Sequence, residues 1–197
     1  MEVYRAILSR RSIRRFQQRP IPVEILKKLV NAARVAPSAA NLQPLEYFVV
    51  TDEKLCSDVF STIRWAGHIK PRWMPDKNER PVAYIIILVR EEIYTREQIS
   101  IDYKRDVGLA AENIMLAAEG ENIGSCMICS FDRAKVRKIL GVPETLLVDS
   151  IIALGYKAEK SVIEDMQNGS IRYWRDRRNV MHVPKRRLDD ILHINGF

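Results

Sequence analysis

Val82-Ala83-Tyr84-Ile85-Ile86-Ile87-Leu88-Val89 is the stretch that decides the architecture. It is apolar without a break and rich in β-branched side chains. A strand with one wet face alternates apolar and polar residues. An unbroken run predicts a strand covered on both faces, and therefore a sheet between two layers. The run is far too short to cross a bilayer.

Outward from this strand, helical and extended patterns alternate. Residues 2–10 predict a short helix with Val3, Ala6 and Ile7 on one face. From Ser12 the chain reads as extended. Pro22 suits the first turn of a helix, which Val23, Leu26, Leu29, Val30 and Ala33 continue and Pro37 ends. Residues 46–51 predict a buried strand and 53–63 a helix. Prolines break residues 64–81, where Trp65, His68, Trp73 and Met74 lie. Such a segment either covers a ligand or packs as a loop.

Residues 98–121 predict the longest helix, apolar nearly all round from Leu109 to Ala118, as expected at a core or an interface. Gly124 is expected to end it. Strands are predicted at 125–131 and 147–154, the second closed by Gly155-Tyr156, with a helix at 133–140 between them. From Lys157 the chain is polar and basic with little core of its own, and it ends in an amphipathic segment at 188–194. There is no repeat and no low-complexity linker. The alternation predicts one layered domain of helices and strands.

Composition narrows the class. The chain has 197 residues, 47% hydrophobic and 29% charged, which suits an ordinary globular protein. The N-terminal stretch has no apolar signal core, so the expected location is the cytoplasm. The net charge is +7. It fits a mildly basic surface or anionic small ligands better than nucleic acid, because the arginines are dispersed and no nucleic-acid motif is present. The three cysteines, Cys56, Cys126 and Cys129, do not suit a disulfide framework. Cys126-Met127-Ile128-Cys129 has C-x-x-C spacing, but it lies in a strand-like stretch without a second pair or a ligand-spaced histidine. Two buried small residues are expected rather than a redox pair or half a zinc site, and no metal is expected.

Two segments carry chemistry. In Arg10-Arg11-Ser12-Ile13-Arg14 an extended chain puts Arg10, Ser12 and Arg14 on one side. Guanidinium forks hold phosphate through paired charge-assisted hydrogen bonds, and a hydroxyl adds a neutral donor. Pro37-Ser38-Ala39-Ala40-Asn41-Leu42-Gln43-Pro44 is an irregular loop bounded by prolines. Its small residues allow backbone to approach a flat ring, and the Asn41 and Gln43 amides both donate and accept. Taken singly, these segments also read as solvated arginines and a capped loop. No glycine-rich phosphate fingerprint is present, so side chains must hold any phosphate.

Together these motifs resemble the FMN-dependent nitroreductase family. Arg10 to Phe16 is similar to its R-x-S-x-R/K-x-F signature, and residues 37–44 to its P-S-x-x-N-x-Q-P loop. Residues 108–118 and then 124–131 are similar to its central helix and flavin-facing loop, and Gly155-Tyr156 and the later basic stretch also fit. Leu45, Ser130 and Lys157 depart from the pattern, where an aromatic residue, glycine and proline are common.

The resemblance implies an α+β fold: a three-layer α/β/α sandwich with a central, mostly antiparallel sheet, a long central helix and a C-terminal tail that wraps a partner subunit. It implies one domain over residues 1–197, with 64–81 as a candidate substrate-covering segment and 157–197 as the tail. It also implies a homodimer with FMN at the interface and NADH or NADPH as electron donor. Hydride would pass by way of flavin N5 to an electron-poor acceptor such as a nitroaromatic or quinone. The alternatives are a specialised dehydrogenase or dehalogenase of the same fold, or a flavin-binding protein without turnover. Arg10, Arg11, Ser12 and Arg14 match cofactor contacts, with Arg10 toward the phosphate and Arg14 toward the pyrimidine edge, where it would also serve catalysis. Pro37, Ser38, Ala39 and Asn41 match the loop supplied across the interface, with Gln43 close by as a further cofactor contact. Met127, Ile128, Cys129 and Ser130 match the segment whose backbone faces the flavin, with Cys129 acting through its backbone. Lys185 and Arg187 match a phosphate pair, with a shift to Arg186 left open.

Overall fold

Every residue of Ala83–Val89 is buried, and both faces of this strand are covered. In the computed structural model, which describes residues 2–65, 74–96 and 103–196, the chain forms α1 (Val3–Ser9), β1 (Phe16–Gln17), α2 (Val23–Arg34), β2 (Leu45–Val50), α3 (Glu53–Thr62), β3 (Ala83–Val89), α4 (Glu92–Arg96), α5 (Lys104–Gly120), β4 (Ile123–Ile128), α6 (Arg133–Leu140) and β5 (Leu147–Lys157). The long strand β5 organises the sheet. It pairs antiparallel with β3, β4 and β1, and β2 pairs antiparallel with β3. Tyr156 near its end is flanked on both edges, by Gln17 of β1 and Ile123 of β4.

Alternation along β3 divides the core. Ala83, Ile85, Ile87 and Val89 pack with Leu26 and Leu29 of α2 and with Val107, Ala110 and Ile114 of α5. Tyr84, Ile86 and Leu88 must then point to the opposite face. There Cys56 of α3 lies 3.8 Å from Val50 O and 3.7 Å from Val82 O, and α3 packs against α6. Local signals set the helix ends. Asp52 Oδ1 accepts from Leu55 N–H at 2.8 Å and Asp132 Oδ1 from Lys135 N–H at 3.0 Å, each satisfying an orphan donor of a first turn. Gly141, at φ 64°, stops α6.

The chain divides into two compact units: residues 1–64 with 75–158, and residues 65–74 with 159–197. The second carries a sheet of its own, where a polar tail was expected. Here β6 (Ser161–Asp165) runs parallel to β8 (Met181–Lys185), and β7 (Trp174–Arg175) pairs antiparallel with β8. Met181 is fully buried, Arg175 pairs with Glu159, and the Trp174 and His182 rings stack 4.1 Å apart. These strands are short and half polar, so no apolar period announced them. Their side-chain pairs replace a large core.

Other expectations also shift. Of Val3, Ala6 and Ile7, only Ala6 turns to the core, while Val3 and Ile7 are exposed. The long helix ends at Gly120, and Gly124 lies inside β4. The start of that predicted helix at 98–102, and residues 66–73 of the irregular segment, lie outside the described residues. Among the described residues, no helix is long and apolar enough to cross a membrane.

Gly124 and Gly155 are cross-strand partners, and their place in the sheet explains both. A Cβ on Gly124 would lie 2.9 Å from Ile13 Cβ, and one on Gly155 would lie 2.8 Å from Phe16 Cβ. The two glycines form a notch that seats the N-terminal segment on the sheet. Gly155→Ala is therefore expected to force Phe16 out of its seat. The expected destabilisation in urea unfolding is about 1–3 kcal/mol; unchanged stability would remove the notch.

Candidate functional site

Ile13 and Phe16 are seated in the glycine notch, and Arg14 and Arg15 between them are half-buried. Ile13 is 3% and Phe16 0% exposed. Ser12 pairs with Ser125 in a parallel bridge, and Ile13 N–H donates to Ser125 O at 2.9 Å. Ser12 itself is exposed and Arg14 half-buried, as an extended chain with its apolar side down requires. The Arg14 guanidinium donates to Ser12 O at 3.4 Å.

The arginines divide by role. Arg10 Nε lies 3.3 Å from Glu112 Oε1 of α5, an ion pair that is not aligned as a hydrogen bond. Arg11 donates to Leu8 O at 2.8 Å and to Arg10 O, so its fork closes the last carbonyls of α1. Burial and the adjacent Arg10 lower its pKa, against an opposing effect of Glu119. Glu119 is buried on α5 and pairs with Lys157 Nζ at 2.7 Å. Lys157, which departs from the family's proline, thus ties the end of β5 to α5.

The 37–44 loop is held in an uncommon conformation. Ala40 has φ 47°, Asn41 φ 57° and Gln43 φ 50°, all left-handed. Non-glycine residues in this region carry on the order of 1–3 kcal/mol of strain each, which the surroundings must offset. Asn41 N–H donates to Ser38 O at 3.0 Å, Gln43 N–H to Ser38 Oγ at 3.0 Å, and the Gln43 amide to Asn41 O at 3.3 Å. From outside the loop, the Asp106 carboxylate accepts from Ala39 N–H at 3.2 and 3.3 Å. The small residues therefore do more than admit a ring, because Ala40 takes a backbone form that larger branched side chains resist. Pro37 opens the loop and Pro44 O accepts from Arg90 N–H at 2.9 Å where β2 begins.

The third segment follows β4. Its ladder ends at Ile128↔Ile151, with Met127 half-buried and Ile128 buried. Cys129 and Ser130 are exposed beyond it, and Ser130 O accepts from Arg64 N–H at 2.9 Å. The two cysteines form no disulfide with each other: Cys126 is buried as expected, whereas Cys129 is exposed where a buried residue was expected. Partial burial, with Asp149 adding to it and Arg133 opposing, raises the Cys129 pKa. In the other unit, Lys185 and Arg187 are exposed, whereas Arg186 turns back to donate to Asp190 O at 2.7 Å.

Glu112 and Asp106 support the two motif segments and were passed over in the sequence reading. Asp106 had a readable signal, because it shares the stripe of Ala110 and Ile114, where a carboxylate is out of place unless it is hydrogen-bonded. The separation of six residues from Asp106 to Glu112 amounts to about 9 Å along an α-helix and about 240° around it. The N-terminal segment and the 37–44 loop are thus fastened to one helix on different sides.

Residues 7–156 match the nitroreductase family, and the chain belongs to it. A candidate NADH dehydrogenase/NAD(P)H nitroreductase from Archaeoglobus fulgidus is 31% identical over 168 residues, covering 83% of this chain and 90% of the relative. An iodotyrosine deiodinase from Thermotoga neapolitana is 26% identical, covering 78% of this chain and 88% of the relative. Among solved structures, a candidate nitroreductase from Desulfovibrio desulfuricans in complex with FMN superposes with a TM-score of 0.70 at 24% identity. It covers 100% of this chain and 98% of that one. The shared fold is α+β with a central antiparallel sheet, and the chain is a nitroreductase-family oxidoreductase.

A raised thiol pKa leaves less thiolate at every pH below it. Iodoacetamide labelling of Cys129, followed by peptide mass mapping, is therefore expected to be slower at pH 8 than that of an unstructured cysteine, with its midpoint at higher pH. Faster labelling than the unstructured reference would contradict this environment.

Proposed function

We propose that the chain is an FMN-dependent oxidoreductase that passes reducing equivalents from NADH or NADPH to a flat, electron-poor acceptor such as a nitroaromatic or quinone. The observation that carries the reading is the joint fastening of the two motif segments to α5, Arg10 on Glu112 and Ala39 on Asp106. Two residues 29 positions apart in sequence are brought to one rigid support. The residues present fit the cofactor. Arg10 Nε and Ser125 Oγ are buried without a hydrogen-bond partner, and Ser12, bridged to Ser125 through its backbone, is exposed, a donor set suited to a phosphate and a hydroxylated chain. When bound, FMN supplies a two-electron carrier between nicotinamide and acceptor.

The chain's own residues bind and orient. Arg10 and Ser12 hold the phosphate side, and Arg14 offers positive charge to the pyrimidine edge, where negative charge develops on reduction. The strained 37–44 loop presents small side chains and the Asn41 and Gln43 amides to the ring. Backbone N–H groups of Ile128, Cys129 and Ser130 fix the opposite edge, with Met127 behind them, and the Cys129 sulfur stays protonated and outside the chemistry. Lys185 and Arg187 add cationic phosphate contacts, and Arg11 acts indirectly by holding α1 in place.

The proposed assembly is a homodimer in which one chain supplies the Arg10–Arg14 side of the site and its partner the 37–44 loop, with residues 157–197 along the partner. Exposed apolar side chains support it: Val3, Tyr4, Ile7 and Leu8 on α1, and Leu109 on α5. The placement of Asp106 and Glu112 on different sides of α5 supports it too. A second reading, reductive dehalogenation, is favoured by the similarity to an iodotyrosine deiodinase.

The purified protein is expected to bind FMN and to bleach anaerobically with NADH or NADPH. Reoxidation by nitroaromatics or quinones would support the first reading. Iodotyrosine turnover with a chemical reductant but negligible NAD(P)H oxidation would replace it with the second. Failure to bind FMN would overturn both. Arg14→Ala is expected to weaken FMN binding or slow flavin reduction about tenfold, ~1.4 kcal/mol, and unchanged values would remove that role. Cys129→Ala is expected to keep both flavin and turnover.

A further inference from the structure

Asp106 stands apart from the motif residues. It is 3% exposed on the apolar stripe of α5, an environment in which a carboxylate must be hydrogen-bonded. Its partners come from two other elements. Ala39 N–H of the 37–44 loop reaches both oxygens, at 3.2 and 3.3 Å, and the Tyr94 hydroxyl of α4 donates to Oδ2 at 2.8 Å. Asp106 also lines a small hollow beneath the loop with Ser38, Gln43, Pro44 and Tyr47. Arg90 N–H holds Pro44 O at the loop's far end, and the other described hydrogen bonds of residues 38–43 are internal, including those from Asn41 and Gln43 to Ser38 and Asn41. Internal bonds close a turn but do not fix its position. The Ala39–Asp106 bond does.

Three left-handed residues follow this anchor, at Ala40, Asn41 and Gln43. Such a conformation persists only where the surroundings over-determine it. A small residue freed at Ala39 has many lower-energy alternatives, so the anchor decides whether the loop is ready before any ligand arrives. Tyr94 completes the device. Its hydroxyl orients the carboxylate, so that one oxygen is held from α4 while both face Ala39.

We propose that Asp106, oriented by Tyr94, is a positioning residue for the cofactor: its carboxylate holds the 37–44 loop in the left-handed form that receives FMN. The proposal rests on the flavin reading above. It lowers the ordering cost of binding by organising the loop in the free protein. Asp106 touches no cofactor in this scheme and acts only through the loop backbone.

The test compares full-length wild type, Asp106→Ala, Asp106→Asn and Tyr94→Phe. Amide hydrogen exchange of residues 38–43 is measured in the FMN-free protein, alongside FMN affinity by fluorescence titration and the split between kcat and KM for the acceptor. Asp106→Ala is expected to speed exchange in this loop at least tenfold, with the β3 and β5 amides unchanged, and to weaken FMN binding by a similar factor. Asp106→Asn keeps an oxygen acceptor and is expected to rescue most of both effects. Tyr94→Phe is expected to shift both by a few-fold. With saturating FMN, kcat should recover in every variant, because positioning is then supplied by the ligand.

Exchange that stays at the wild-type rate in Asp106→Ala would overturn the proposal. So would exchange that rises uniformly through α5 and the sheet, which marks a general stability role. A wild type that binds no FMN defeats the flavin reading and with it the link to affinity, whereas the loop exchange still decides whether Asp106 is the anchor.

Discussion

The architecture of the site depends on one steric constraint, the absence of side chains at Gly124 and Gly155. These residues face each other across β4 and β5, and together they leave room for Ile13 and Phe16. The N-terminal segment can then lie against the sheet and bond to Ser125 O. Its charged residues are turned away from the core by the same packing. A hydrophobic contact thus places Ser12 and Arg14 on the sheet, while Arg10 is held by its ion pair with Glu112.

Helix α5 ties that local arrangement to the rest of the candidate site. It is buried along the stripe that meets α2 and the sheet, yet it carries three acidic residues with structural work: Asp106 on Ala39, Glu112 on Arg10, and Glu119 on Lys157. Each ties a different segment to the same rigid element. Two of the three carboxylates are buried and hydrogen-bonded, where loss of a partner costs much more than an exposed ion pair contributes. The geometry is therefore set by the helix and does not rest on loop stiffness.

Much of this was legible in the sequence. The unbroken run at 82–89 announced a sheet with two covered faces, and the alternation around it located the helices of both layers. The two motif segments were also legible as a pair. What escaped was what depends on contacts between distant residues. Gly124 read as a helix terminator because its partner, Ile13, is far away in sequence. Arg11 looked equivalent to Arg10, since only the fold shows that its fork closes α1. Ala40 gave no sign of its left-handed backbone, and Asp106 was one acidic residue among 25. The small sheet of the second unit escaped because its strands are short, half polar and stabilised by side-chain pairs.

The central claim is that the Arg10–Arg14 segment and the 37–44 loop are two edges of one flavin site. The most direct measurement is a crystal structure of the protein grown with FMN. The expected result is flavin density bounded by Arg10, Ser12 and Arg14 of one chain and by the 37–44 loop of its partner. Flavin density remote from both segments, or next to one of them alone, would contradict the claim.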